Sequence, residues 1–424
     1  MNNNEAWKEL FREYDILRQI EHYGQFRISA KQIRSYREPR LMTKFDHRIN
    51  LPYVFSHNDL SILPVTRGDY IISHFDAYHE LEQNNPEIIK LAAPDNIQSL
   101  DYNNISSEAI ALNCAFAAGI ISDFLEDDCI IPTVSGRMGT GDFAFTIDDR
   151  HDKLSRKLNV SVSNAQMEID GAYEGNSFLA ILEAKRELSE DFITRQIYYP
   201  FRVWQARITK PVRPVFFVYS NNIFSLYEYI FTDVNNYSSI ELIRQKNYSV
   251  SDIHITKQDI LRILERVKIV DEPEISFPQA DKFSRVINLC ELLDEHELYK
   301  SKQEITEQYA FDSRQADYYA NAGRYLGLID KNGKSLYSLS DNGKRILSMN
   351  YKNRQLAFCE CILSHKIFHE TLMLYFKTGQ LPKTTSITEI MKHSGLHAVD
   401  SEETFKRRAG TIRSWLNWIA DLIL

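Results

Sequence analysis

A continuous apolar run, Phe178-Leu179-Ala180-Ile181-Leu182, passes without a break into the charged triplet Glu183-Ala184-Lys185. Ahead of it, turn-forming Glu174-Gly175-Asn176-Ser177 follows an alternating stretch, Gln166 to Tyr173, that carries Asp170. Two short runs around such a turn predict a β-hairpin, and the apolar second run predicts a strand buried on both faces. Centring the loop between Gly175 and Asn176 pairs Asp170 with Ile181 and Glu183 with Glu168. Asp170 and Glu183 are then diagonal neighbours, roughly 7–8 Å apart at Cα and closer at their tips. Side chains repeat every two residues along a strand, so Asp170, Glu183 and Lys185 share a face. Charges at the end of a buried strand are costly unless balanced, and a divalent metal fits between two such carboxylates. The alternative is that Glu183 and Lys185 are surface residues where the strand leaves the core.

The order Asp170, turn, Glu183-Ala184-Lys185 resembles the PD-(D/E)XK nuclease superfamily. Ile169-Asp170 stands where that motif has Pro-Asp, so the proline is absent but every chemical group is present. The resemblance implies that Asp170 and Glu183, with the Ala184 carbonyl, hold Mg²⁺ and that Lys185 orients the attacking water. Ser189 to Ala206 predicts a helix bent or interrupted at Pro200, with Gln196 on its second or third turn. Gln196 with Tyr199 is similar to the superfamily element that positions the lysine or the metal water; the alternative is a polar helix face beside the sheet. Ser107 to Leu125 predicts one apolar helix capped by Ser106 or Ser107, too short and interrupted for a membrane span. The resemblance makes Glu108 a further site carboxylate, and the helix dipole explains a first-turn glutamate equally. Ser135 to Asp142 is glycine-rich but lacks the Gly-Lys-Ser/Thr ending of a phosphate loop. It reads as a loop before a strand at Phe143–Ile147, with Arg137 either on a DNA phosphate or in a simple turn.

The net charge of −8 argues against a generally nucleic-acid-binding surface, yet distribution matters more than the sum. Arg27, Lys31, Arg34, Arg37, Arg40, Lys44 and Arg48 lie in one segment with only Glu38 and Asp46 against them. Interleaved with Phe26, Tyr36 and Phe45, they form either a phosphate-contact surface or a solvated face. Arg34, Arg37, Arg40 and Lys44 are its candidate DNA contacts. Five cysteines are scattered without zinc spacing, which with no visible targeting segment predicts a cytoplasmic protein with reduced thiols.

Beyond a linker at 270–281 marked by Pro273 and Pro278, helices are expected at 282–293, 301–310 and 313–326. Strands at Leu328-Ile329-Asp330 and 336–339 flank a Lys331-Asn332-Gly333-Lys334 turn. Three helices and a hairpin describe a winged helix, a module used for DNA and for protein contacts alike. Its third helix offers Arg314, Gln315, Tyr318, Asn321 and Arg324 to bases or phosphates. A short helix at 386–392 and a longer one at 401–424 suggest a second helical, winged-helix-like unit. Lys406, Arg407, Arg408 and Arg413 form its basic half, and Trp415 and Trp418 its docking half.

The expected architecture is multidomain α/β (α+β). It has an N-terminal basic DNA-contacting domain (1–100), a central restriction-endonuclease-like core of mixed sheet flanked by helices (101–270), a winged helix (280–350) and the second helical unit (351–424). This layout, with the phrases REPRLMTKFDHRINLP, SGRMGTGDF, EIDGAYE and RQADYYANAGRYLGLI, resembles type II restriction endonucleases. The resemblance implies Mg²⁺-dependent, sequence-specific cleavage of double-stranded DNA to 5′-phosphate and 3′-hydroxyl ends. It also implies a cognate DNA methyltransferase as functional partner and leaves a homodimer open. A structure-specific repair or recombination nuclease would share the site, and a winged-helix transcriptional regulator would need none of it.

Overall fold

The fold is described from a computed structural model over residues 1–82, 84, 86–151, 157–294, 299–333 and 336–423. Lys334 of the expected turn and Leu424 of the expected terminal helix lie outside the described residues.

A seven-stranded mixed sheet forms the centre. Its order is Ile88–Lys90, Ile240–Ser249, Ile223–Phe231, Val212–Ser220, Leu179–Lys185, Gln166–Glu174 and Ile131–Gly139. Leu179–Lys185 runs parallel to Val212–Ser220 and antiparallel to Gln166–Glu174. All seven residues of Leu179–Lys185 are buried, as its unbroken apolar run requires. Leu179 and Ile181 pack into the core with Ile197 and Val203 of helix Arg195–Arg207. Ala180, Leu182 and Ala184 pack on the opposite face against Ala111, Leu112 and Phe124.

Three local expectations are corrected here. The apolar helix after Ser107 is two helices, Glu108–Ala117 and Ile120–Leu125, broken at Gly119, whose φ of +75° is left-handed. The glycine-rich stretch is no loop, because Ser135 to Gly139 completes the edge strand beside Gln166–Glu174. Helix Arg195–Arg207 starts later than Ser189, since Asp191–Ile193 is first drawn into a strand pair with Tyr78–Glu80. That helix continues through Pro200 without interruption.

Ahead of the sheet, helices Asn3–Glu13 and Ile16–Tyr23 cover an antiparallel trio of Phe26–Ser29, Asp69–Ser73 and Ser61–Pro64. Their apolar side chains join the same core as Leu179 and Ile181. Residues 255–423 form a separate core. After helix Lys257–Arg266 it continues with helix Phe283–Asp294, strand Lys300–Ser301, helices Lys302–Gln308 and Ser313–Tyr325, and the hairpin Ile329–Asn332 with Leu336–Leu339. Five helices between Asp341 and Asp421 follow, with no further hairpin among the described residues, so the last unit is helical and lacks a wing of its own. The expected linker is no free tether: Val270 N–H donates to the Ser364 carbonyl (3.0 Å), and Phe277 and Ala280 are buried. No helix among the described residues is long and apolar enough to cross a membrane.

Candidate active site

The hairpin pairs Leu179 with Glu174 through Leu182 with Gly171. Its turn is therefore centred between Asn176 and Ser177, and Asp170 stands opposite Glu183 instead of Ile181. The reason is tertiary. Asp127, from the loop after the split helix, accepts the Asn176 N–H at 2.9 Å and pins the turn. A slip of two residues leaves each side chain on its predicted face. Regular pairing stops at Leu182, and the Ala184 N–H donates to Asp170 Oδ2 at 2.8 Å. Asp170 thus serves as a ladder partner while its second oxygen remains for other work.

Lys185 Nζ lies 2.5 Å from Glu183 Oε1, and both residues are buried. Asp170, Glu183, Lys185, Glu108 and Gln196 all line one cleft of about 570 Å³. Ser107 caps the Glu108 helix by accepting the Ile110 N–H at 3.2 Å, which fixes Glu108 at the cleft. Gln196 is the second residue of its helix, in the first turn and not the second or third; its buried Oε1 has no hydrogen-bond partner. Pro200 removes the N–H that the Gln196 carbonyl would otherwise receive in the helix.

Burial dominates the electrostatics. It pushes Glu183 up to about 8 and Glu108 up to about 7, with Lys185 opposing both shifts. Asp170 is also raised by burial, against Lys185 and the Ala184 amide. For Lys185 burial acts downward, but Glu183, Glu108, Asp46 and Glu187 outweigh it and hold the ammonium charged. Several carboxyls thus share one buried cation.

The N-terminal segment supplies further lining. Arg34, Arg40 and Lys44 line the cleft with Arg67, and Arg137 and Arg195 flank the carboxylates. Arg137 also pairs with Glu168 at 3.1 Å. Arg37 turns away to a two-bond ion pair with Glu307, both at 3.1 Å. Asp46, which sequence reasoning treated only as an exception in a basic segment, also lines this cleft. Burial would raise its carboxyl, but Lys185, Lys44 and His47 hold it low. His47 bonds the Asp191 carbonyl at 2.6 Å and Glu187 at 3.2 Å. Burial opposes its charge, yet these partners raise it to about 9. Asp46 and Glu187 are acidic residues the sequence did not single out: Asp46 comes from another element, and Glu187 lies just past the end of the strand, which closes at Lys185.

The tail candidates lie away from this cleft. Arg314, Lys406 and Arg407 are exposed, whereas Tyr318 and Arg413 are half-buried. Arg324 is held by Asn321 at 2.9 Å. Gln315 keeps a buried, unpartnered Oε1, and Arg408 is buried with Nε and Nη1 unpartnered.

Among the described residues, no group of three or more His, Cys, Asp or Glu side chains is arranged to enclose a metal. The donors that converge, Asp170 and Glu183 with the neighbouring main chain, are oxygen atoms. They suit a hard cation that keeps water ligands and borrows substrate phosphates.

Three family models match successive parts of the chain. "Domain of unknown function (DUF6996)" matches residues 4–72, "Domain of unknown function (DUF6997)" residues 73–249, and "Domain of unknown function (DUF7226)" residues 285–424. No curated protein and no solved structure matches the chain. The carboxylate–lysine hairpin lies within the second matched segment, and Arg34, Arg40, Lys44 and Arg67, which line the same cleft, within the first.

Proposed function

We propose that this protein is a type II restriction endonuclease of the PD-(D/E)XK kind, hydrolysing double-stranded DNA with Mg²⁺ to leave 5′-phosphate and 3′-hydroxyl ends. One observation carries the reading: Asp170, Glu183, Lys185, Glu108 and Gln196 meet in a single cleft that Arg34, Arg40, Lys44 and Arg67 also line. The five come from four places in the sequence, Glu108, Asp170, the pair Glu183 and Lys185, and Gln196, each more than ten residues from the next, and charged residues ordinarily scatter over the exposed surface.

The donor set fits Mg²⁺. Asp170 and Glu183 would hold it, with the Ala184 carbonyl; in an extended strand a residue's C=O leaves on the same side as its N–H, and the Ala184 N–H faces Asp170. Bound there, the ion supplies Lewis-acid stabilisation of charge developing on the phosphate. Lys185 orients the attacking water and stabilises the same charge from its buried position. Gln196, with its unpartnered oxygen at the cleft, accepts a hydrogen bond from that water. Glu108, raised to about 7, is suited to exchange a proton near neutral pH. Arg34, Arg40, Lys44 and Arg67 would grip backbone phosphates and set the duplex against the carboxylates.

The helix, strand, two helices and hairpin of residues 283–339 follow winged-helix order, which supports base reading by helix Ser313–Tyr325 through Arg314. Such an enzyme works in the cytoplasm beside a cognate DNA methyltransferase.

Asp170→Ala and Lys185→Ala separate chemistry from binding. Each is expected to slow cleavage by at least ~10³-fold, the scale of losing a transition-state electrostatic group, while the DNA Kd stays within a few-fold. Wild-type cleavage by either variant overturns the assignment.

A further inference from the structure

The two parallel strands at the centre of the sheet are paired from Leu179 with Val212 to Lys185 with Val218. Carried on by two residues, that register would set Glu187 against Ser220. A side chain occupies the place instead. Asn288, fully buried on helix Phe283–Asp294, donates from Nδ2 to the Arg186 carbonyl at 2.7 Å, and its Oδ1 accepts the Leu188 N–H at 2.8 Å. One residue of a parallel neighbour makes the same two bonds, to the C=O of residue i and the N–H of residue i+2. Asn288 therefore replaces the main chain of Ser220 as partner of the strand just beyond Lys185, and its Nδ2 also reaches Ser220 Oγ at 3.2 Å.

The replacement is anchored on both sides. Ser220 Oγ and the Asn221 N–H donate to Glu291 at 2.6 and 2.8 Å, one turn along the same helix, and Arg354 donates to Glu291 at 3.3 Å. On the other side, Arg186 Nη1 donates to the Ser106 carbonyl at 2.9 Å, next to the Ser107 cap of the helix that begins with Glu108. Asn288 thus holds the chain one residue past Lys185, and through Arg186 the start of the Glu108 helix.

We propose that Asn288 is a positioning residue through which the C-terminal unit sets Lys185 and Glu108 at the cleavage site. The inference rests on the nuclease reading for its consequence and on geometry alone for its mechanism. Asn288→Ala removes both bonds. Asn288→Asp keeps the acceptor for Leu188 but loses the donor to Arg186 until its carboxyl is protonated.

The test is single-turnover cleavage of plasmid DNA by the full chain with Mg²⁺, together with hydrogen exchange at the Leu188 amide. For Asn288→Ala, kcat is expected to fall ~10²-fold, the scale of a 1 Å misplacement, with KM within about twofold and Leu188 exchange accelerated. The rate of Asn288→Asp relative to wild type is expected to rise as pH falls, a recovery that a general loss of folding does not give. Should both variants fail to fold, Asn288→Ser, whose short hydroxyl cannot bridge the Arg186 carbonyl and the Leu188 N–H together, is expected to accelerate Leu188 exchange with a smaller loss of kcat. Wild-type kcat in folded Asn288→Ala, or unchanged Leu188 exchange in Asn288→Ala or, if that does not fold, Asn288→Ser, overturns the proposal. A wild-type protein that does not cut DNA overturns the nuclease reading, and the exchange arm still decides whether Asn288 holds this strand.

Discussion

The Glu183–Lys185 pair sets how the site responds to pH. Glu183, Glu108 and Asp170 are held above ordinary carboxyl values by burial, so folding favours their protonated forms. That contribution is complete below the unfolded value near 4.5 and is lost as pH rises through about 7 for Glu108 and about 8 for Glu183. A cation that binds the ionised carboxylates acts in the opposite sense. The rise in Tm on adding Mg²⁺ is therefore expected to be larger at pH 8.5 than at pH 6, and to vanish in Asp170→Ala; scanning fluorimetry checks this, and a shift independent of pH contradicts it. That Asp170, Glu183 and Lys185 share one cleft was legible because period-two alternation survives the register slip. Asp46 was not, since it reaches Lys185 from another element, and no spacing along the chain encodes that approach.

Elements were legible where one local signal decided them. The Ser301–Glu304 capping box and the Ser107 cap start their helices as the letters indicate. Elements governed by tertiary partners were not. The hairpin turn is placed by Asp127, and Gly175 allows it, since a Cβ there would lie 2.7 Å from both Asp127 Oδ2 and the Phe178 ring. Gly175→Ala is expected to destabilise the protein by about 1–3 kcal/mol, as overpacking does, and Asp127→Ala by about 1–2 kcal/mol through lost turn hydrogen bonds; urea unfolding midpoints measure both. An unchanged midpoint in Gly175→Ala would show that the turn is not held there. In the same cleft as the carboxylates, Arg40→Ala is expected to weaken DNA binding and reduce its salt slope by about one. An unaltered slope would place the phosphates elsewhere.

Across the whole molecule, the three parts are joined by buried and charge-assisted contacts and not by tethers alone. Arg37 grips Glu307, Asn50 donates to the Thr306 and Tyr309 carbonyls at 3.0 and 2.8 Å, and Asn288 closes on Arg186. A single thermal unfolding transition is expected, and Arg37→Ala together with Asn288→Ala is expected to split it in two; calorimetry reads this directly. Sequence composition divides the chain into units but is silent on these joints, because each is one side chain meeting a residue far away along the chain. The same joints carry the functional claim, which needs a reader and a cutting centre held in fixed relation. Incubating the protein with plasmid DNA in Mg²⁺ or chelator and sequencing the ends tests that claim most directly. The account predicts Mg²⁺-dependent discrete fragments, all with 5′-phosphate ends at a constant position relative to one sequence, and none from Lys185→Ala. Random ends, or no Mg²⁺-dependent cutting, would contradict it.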